Sequence, residues 1–212
     1  MGAHSDQARL AVASGMGEKS GMEATLRKLL ILDLDETLIH ASMFRLPMQP
    51  QFRLGLAEVV RRPGLEAFLR GCFDLFRVGI WTSGTEDYAG EALGRILPDG
   101  LWPEFVWCRR KCYQITDAVT RETFWAKDRG RLAERGHALD SIIIVDDEPR
   151  SWIGHSARVL VVPKFRGDPS DRVLFDFLPL LAQAAAAPDC AAFLRRLRWP
   201  EVVTEGEPSP PC

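Results

Sequence analysis

Four short segments carry side chains suited to joint chemistry: Asp33-Leu34-Asp35-Glu36-Thr37, Thr82-Ser83, Lys127 and Asp146-Asp147. Asp33 and Asp35 are two positions apart, and in an extended segment such residues share a side. Two carboxylates can then reach one phosphorus centre, one attacking while the other handles protons. Attack by a carboxylate on a phosphoester gives an aspartyl phosphate. Charge on the transferring phosphoryl oxygens calls for a hydroxyl, an ammonium and a metal, and Thr82, Lys127 and Mg²⁺ would supply them. Two sets of carboxylates meeting at one sheet edge repel unless a cation lies between them, and Mg²⁺ takes hard oxygen ligands, including one or two carboxylates. Each group also has a plain reading. An acid at a strand end caps or turns, a Ser or Thr after a strand caps, a lysine on a helix is solvated, and an acidic pair makes a turn. It is their occurrence together, in this order, that strains the plain reading.

These residues need a scaffold that gathers strand ends. Short apolar runs at Lys28–Leu34, Leu75–Trp81, Phe105–Cys108, Ile142–Val145 and Arg158–Val162 read as strands. Helical patterns alternate with them: one beginning at Pro63, Glu86–Leu97 capped by Thr85, Ala126–Arg135, Asp171–Gln183 with Pro179 as a kink or break, and Asp189–Arg198. This alternation predicts an α/β fold, a Rossmann-like parallel sheet of about five strands with helices on both faces. Ligands in such sheets bind beyond the carboxyl ends of the strands, where the acids fall.

The chain has 212 residues, 46% hydrophobic and 26% charged, with a formal net charge of −2. That suits one domain and gives no global field for nucleic acid. Residues 1–22 read as a flexible leader, 23–199 as the folded domain and 200–212 as a disordered, proline-rich tail. No apolar run reaches the ~18–20 residues of a membrane span, and the first 22 residues, without an apolar stretch, are not expected to act as a secretory leader for the five cysteines. The expectation is a soluble protein of a cytoplasmic or other reducing compartment with free thiols. Asp33 to Thr82 is 49 positions, Thr82 to Lys127 is 45 and Lys127 to Asp146 is 19. Once the assigned elements are subtracted, neither gap holds a full cap domain. An open cleft favours a phosphoryl group presented on something large, such as a protein side chain.

The segment Asp33-Leu34-Asp35-Glu36-Thr37-Leu38-Ile39-His40 resembles the first motif of the haloacid dehalogenase superfamily. More narrowly, it resembles the branch of phosphatases acting on the RNA polymerase II C-terminal domain and their small relatives. Arg61-Arg62-Pro63-Gly64 with Phe68-Leu69, Trp81-Thr82-Ser83, Ala126-Lys127-Asp128 and Ile144-Val145-Asp146-Asp147-Glu148-Pro149 are similar to that branch's later segments, in order. The resemblance covers about residues 28–185. It implies Asp33 as nucleophile and metal ligand. Asp35 would be the proton-transfer group, its backbone carbonyl on Mg²⁺. Thr82, Ser83 and Lys127 would bind the phosphoryl group, and Asp146 and Asp147 would complete the metal site, Asp146 alternatively partnering Lys127. Thr37 would fix the loop and Arg110 would be a possible substrate contact. His40 reads as a base or, more readily, as a packed residue after the loop. Phe44, Phe52 and Trp81 read equally as entrance or core. The implied substrate is a phosphoserine or phosphothreonine protein. A small-molecule phosphatase or phosphotransferase and a catalytically silent binding module are the alternatives. The segment before Arg61 is shorter than in related eukaryotic enzymes, and Asp147 stands where the small phosphatases tend to have Asn. A phosphorelay receiver uses the same residue types but places its acidic pair near the first strand, the reverse of the order here.

Overall fold

The computed structural model describes residues 27–153, 159–197 and 202–203, so the expected leader, and the expected tail apart from Val202 and Val203, lie outside the described residues. In chain order the strands are β1 (Leu29–Leu32), β2 (Ile39–Ser42), β3 (Phe52–Leu54), β4 (Ala57–Arg61), β5 (Arg77–Trp81), β6 (Phe105–Trp107), β7 (Cys112–Thr116), β8 (Thr123–Asp128), β9 (Ile142–Asp146), β10 (Trp152–Ile153), β11 (Val159–Val161) and β12 (Val202–Val203). The helices are α1 (Leu65–Leu75), α2 (Glu86–Ile96), α3 (Gly130–Glu134), α4 (Val173–Ala186) and α5 (Cys190–Arg196).

Every side chain of β1 is buried, as expected of a central parallel strand covered on both faces. It pairs in parallel with β5 on one side and β9 on the other. β6 extends the sheet beyond β5 and β11 beyond β9, both parallel, and β12 closes the β11 edge antiparallel. The five-strand parallel sheet expected from the alternation is therefore present. Alternation along β1 sends Leu30 and Leu32 to one core, where they meet Phe68, Leu93 and Phe177 from α1, α2 and α4. It sends Leu29 and Ile31 to a second core of Trp81, Trp107, Trp152 and Leu132. Trp81 packs edge-on against Trp107 at 4.6 Å and Trp152 at 5.2 Å, so it belongs to the core. The second face carries one short helix, α3, and a small sheet of order β10-β8-β7.

The structure corrects several local expectations. Residues 126–135 are not one helix: Thr123–Asp128 is a strand and only Gly130–Glu134 is helical. Thr-Phe-Trp is strong strand material, and β8 pairs with β7 from Cys112↔Lys127 to Thr116↔Thr123. Between β1 and β5, residues 39–61 form an antiparallel sheet of order β2-β4-β3. α1 starts at Leu65 rather than at Pro63, and Gly64 ahead of it has φ 81°. An added Cβ there would lie 2.8 Å from the Phe175 ring, so both backbone and space require glycine. α4 runs on through Pro179. Thr85 caps α2 as expected, accepting from the Tyr88 N–H at 3.4 Å.

Candidate active site

Strand order sets the site. β1 lies between β5 and β9, with Leu32 level with Ile80 and Val145. Asp33 and Asp146 are the next residues along and Thr82 lies one residue further, so the three come together at the carboxyl edge. Asp33 continues β1, its N–H donating to the Val145 carbonyl at 3.0 Å, and Thr82 N–H donates to Trp107 at 2.9 Å. By the strand period Asp33 turns to the face of Leu29 and Ile31, the face over which β8 lies. Lys127, on β8, reaches the site from that face. Its Nζ donates to Asp33 Oδ1 and Asp146 Oδ2, both at 2.6 Å, with only 2% of the lysine exposed. Asp146 is held further by the Trp152 indole N–H at 2.8 Å and the Glu148 N–H at 2.8 Å.

The loop after Asp33 is fixed by its own bonds. Glu36 has φ 57°, a conformation that costs a non-glycine residue about 1–2 kcal/mol. Glu36 N–H donates to the Ile39 carbonyl at 2.8 Å, and its carbonyl accepts from Phe165 N–H at 2.7 Å. Its carboxylate lies 2.9 Å from His40 Nδ1, so His40 pairs with the loop. Thr37 Oγ1 donates to Asp147 Oδ1 at 2.9 Å, tying the first loop to the acidic pair after β9. Asp35 takes a separate direction: the Thr82 hydroxyl donates to its Oδ2 at 3.2 Å, and the Tyr88 hydroxyl donates to its Oδ1. Thr82 Oγ1 in turn accepts from Gly84 N–H at 2.9 Å.

Carboxylates of Asp33, Asp146 and Asp147 present oxygens all within 4.8 Å of one another. Three buried carboxylates face one buried ammonium, with Lys164 reaching Asp147 Oδ2 only at 3.5 Å from an exposed position. An all-oxygen donor set with excess negative charge fits a hard divalent cation such as Mg²⁺. The electrostatics of these groups agree. Burial raises Asp33 well above the ordinary carboxylate range despite Lys127, with Asp146 and Asp147 adding to the rise. Burial and the Asp146 charge push Asp147 up to about 6. Burial alone would lower Lys127, but Asp146 and Asp33 more than offset it and the ammonium is stabilised. Asp35 is raised by burial, a rise opposed by its hydrogen bonds from Tyr88 and Thr82.

These groups line a cleft of about 250 Å³ together with Ser83, Trp125, Arg150 and Lys164. The expected residues Asp33, Asp35, Ser83, Lys127, Asp146 and Asp147 all border it, and Thr82 sits beneath, hydrogen-bonded to Asp35. The Asp35 carboxylate is not in the three-acid cluster. Arg110 borders instead a neighbouring groove of about 580 Å³, its side chain 87% exposed and 3.6 Å from Glu86. Arg109, outside the residues expected from the sequence, lies between the two: it donates to the Ser83 carbonyl at 2.8 Å and stacks on Trp125, which lines both cleft and groove. Tyr88 and Trp152 are also outside the expected residues. Tyr88 had a readable signal, an aromatic hydroxyl in the first turn of the helix after Thr82-Ser83, whereas Trp152 had none. Phe44 is 81% exposed and outside the cleft.

Residues 28–191 match the family model described as NLI interacting factor-like phosphatase. A probable C-terminal domain small phosphatase of Dictyostelium discoideum is 32% identical over 161 residues, covering 73% of this chain and 49% of that protein. Phosphatase PSR1 of Saccharomyces cerevisiae is 33% identical over 162 residues, covering 73% of this chain and 36% of its own length. The solved fission yeast RNA polymerase II CTD phosphatase Fcp1 superposes with a TM-score of 0.45 at 21% identity, covering 82% of this chain and 53% of that one. The chain thus spans about half or less of the length of these two curated relatives. None of its described helices is long and apolar enough to cross a membrane, and none of its four described cysteines is in a disulfide. With a family model matched over most of its length, the chain belongs to the NLI interacting factor-like phosphatase family.

Proposed function

We propose that the protein is a Mg²⁺-dependent phosphatase that hydrolyses phosphomonoesters through an aspartyl phosphate on Asp33, acting on phosphoserine or phosphothreonine in a protein. The observation that carries this reading is the separation of two neighbouring carboxylates into two environments. Asp33 is bonded to Lys127 within the three-acid cluster, and Asp35 is bonded to Thr82 and Tyr88 outside it. Two acids with different partners suit a nucleophile and a proton-transfer group.

In this reading Asp33 attacks phosphorus while Asp35 protonates the leaving oxygen. Asp35, now ionised, then takes a proton from the water that cleaves the acyl phosphate. Lys127 and the Thr82 and Ser83 segment hold the phosphoryl oxygens. Asp33, Asp146 and Asp147, with the backbone carbonyl of Asp35, would hold Mg²⁺. The bound ion would neutralise the approaching phosphate and lower the repulsion between it and Asp33. Lys127 stays protonated throughout.

The lining of the cleft supports a large substrate: none of it comes from residues 39–61, and through Trp125 it adjoins the wider groove. Relatives named as C-terminal domain phosphatases agree with a phosphoprotein substrate. Buried thiols at Cys72, Cys108 and Cys112 suit an intracellular reducing compartment. The test is a panel of phosphopeptides, sugar phosphates and nucleotides with Mg²⁺ and with EDTA. The reading expects phosphopeptides to give kcat/KM at least tenfold above the metabolites, and activity to vanish in EDTA. The reverse ranking refutes the substrate class, and full activity in EDTA refutes the metal.

A further inference from the structure

Arg62 is 1% exposed, yet it is a full cation and does not line the phosphate cleft. Burying a guanidinium is costly unless every donor is used. Here the fork is used on three separate segments. Nε and Nη2 grip Asp171, just before α4, at 3.0 and 2.9 Å. Nη1 donates to the Thr37 carbonyl at 3.1 Å, and Nη2 also donates to the Pro163 carbonyl at 2.8 Å. The guanidinium stacks on Phe165 at 5.5 Å.

Two of these segments converge on one acid. Thr37, whose carbonyl Arg62 holds, places its hydroxyl 2.9 Å from Asp147 Oδ1. Lys164, which follows the gripped Pro163, places its ammonium 3.5 Å from Asp147 Oδ2. The same segments are joined by the hydrogen bond from Phe165 N–H to the Glu36 carbonyl. Both carboxylate oxygens of Asp147 are thus addressed by residues whose backbone is set by Arg62. We infer that Arg62, locked by Asp171, is a positioning residue that orients Asp147 for a divalent cation by fixing Thr37 and Lys164.

The inference rests on the metal reading of the site. Outer partners of a metal ligand typically account for about 10–100-fold in metal affinity. An ammonium carries the charge of Arg62 but cannot span three segments.

The experiment measures Mn²⁺ binding to purified full-length protein by electron paramagnetic resonance, with thermal melts as the control for folding. Arg62→Lys is expected to weaken Mn²⁺ binding about 10–100-fold. KM for para-nitrophenyl phosphate at saturating metal should change less than threefold. Thr37→Val should show the same weakening, Thr37→Ser should recover binding, and the Arg62→Lys/Thr37→Val double variant should be little worse than the weaker single variant. Should Arg62→Lys fail to fold, Asp171→Asn serves in its place and should weaken Mn²⁺ binding at least threefold. A folded Arg62→Lys or Asp171→Asn protein binding Mn²⁺ like the wild type overturns the inference while leaving the phosphatase reading intact. Fully multiplicative losses in the double variant also overturn it. A wild-type protein that binds no Mn²⁺ overturns both.

Discussion

Replacing Lys127 with methionine keeps most of the stem and removes the ammonium between Asp33 and Asp146. At 2.6 Å and an effective dielectric of about 20, each contact is worth roughly 6 kcal/mol of Coulomb attraction. Most of that offsets the cost of burying three ions, so the expected net loss is the about 3–5 kcal/mol typical of breaking a buried pair. For a domain of this size that corresponds to a fall in Tm of roughly 6–20 °C. The loss must also depend on pH in a definite direction. Asp33 already sits above the unfolded carboxylate range because it is buried, and Lys127 is the group that pulls it back. Without Lys127 the folded state holds its proton more tightly still. A carboxyl whose folded pKa exceeds its unfolded value favours folding below the unfolded pKa and loses that contribution as pH rises through the folded one. The gap in Tm between variant and wild type should therefore be widest near pH 8 and narrow toward pH 4.5. Melts by circular dichroism in EDTA across that range read it directly. Equal Tm values at pH 7.5, or a gap that widens on acidification, refute the reasoning.

Other predictions follow from single contacts. Because Asp147 is pushed up to about 6, protons compete with metal, so apparent Mg²⁺ affinity should fall as pH drops through 6, with proton release visible as buffer-dependent heats in calorimetry. The same group favours the folded metal-free protein below about pH 4 and loses that contribution as pH rises through 6. Tyr88→Phe removes a donor that lowers the Asp35 carboxyl. The pH–rate limb belonging to Asp35 should move upward, while Mn²⁺ affinity stays within about threefold. Gly64→Ala forces a side chain onto φ 81° and the Phe175 ring, costing about 1–3 kcal/mol in denaturant melts.

The central sheet was legible because parallel strands buried on both faces read as continuous apolar runs, as in Leu29–Leu32 and Ile142–Val145. Half-exposed strands were not. β2, β3, β4, β7 and β8 each bury only part of their residues, and their pairing is set by partners distant in the chain. Lys127 is the instructive case: as a residue it stood out, but its strand was invisible because the pairing that makes it one involves Cys112 and Trp152. The carboxylates and Thr82 were legible through their places at strand ends. Their supporting shell of Tyr88, Trp152, Arg109 and Arg62 was harder to see, since those side chains matter through contacts across 6 to 109 positions.

The most direct test of the account is chemical trapping of the intermediate. The wild-type protein is mixed with a phosphopeptide and Mg²⁺, quenched in acid, reduced with borohydride and digested for mass spectrometry. The account predicts homoserine at position 33, absent without substrate and absent in Asp33→Asn. Reduction at another acid, or Asp33→Asn turning over substrate at the wild-type rate, contradicts it.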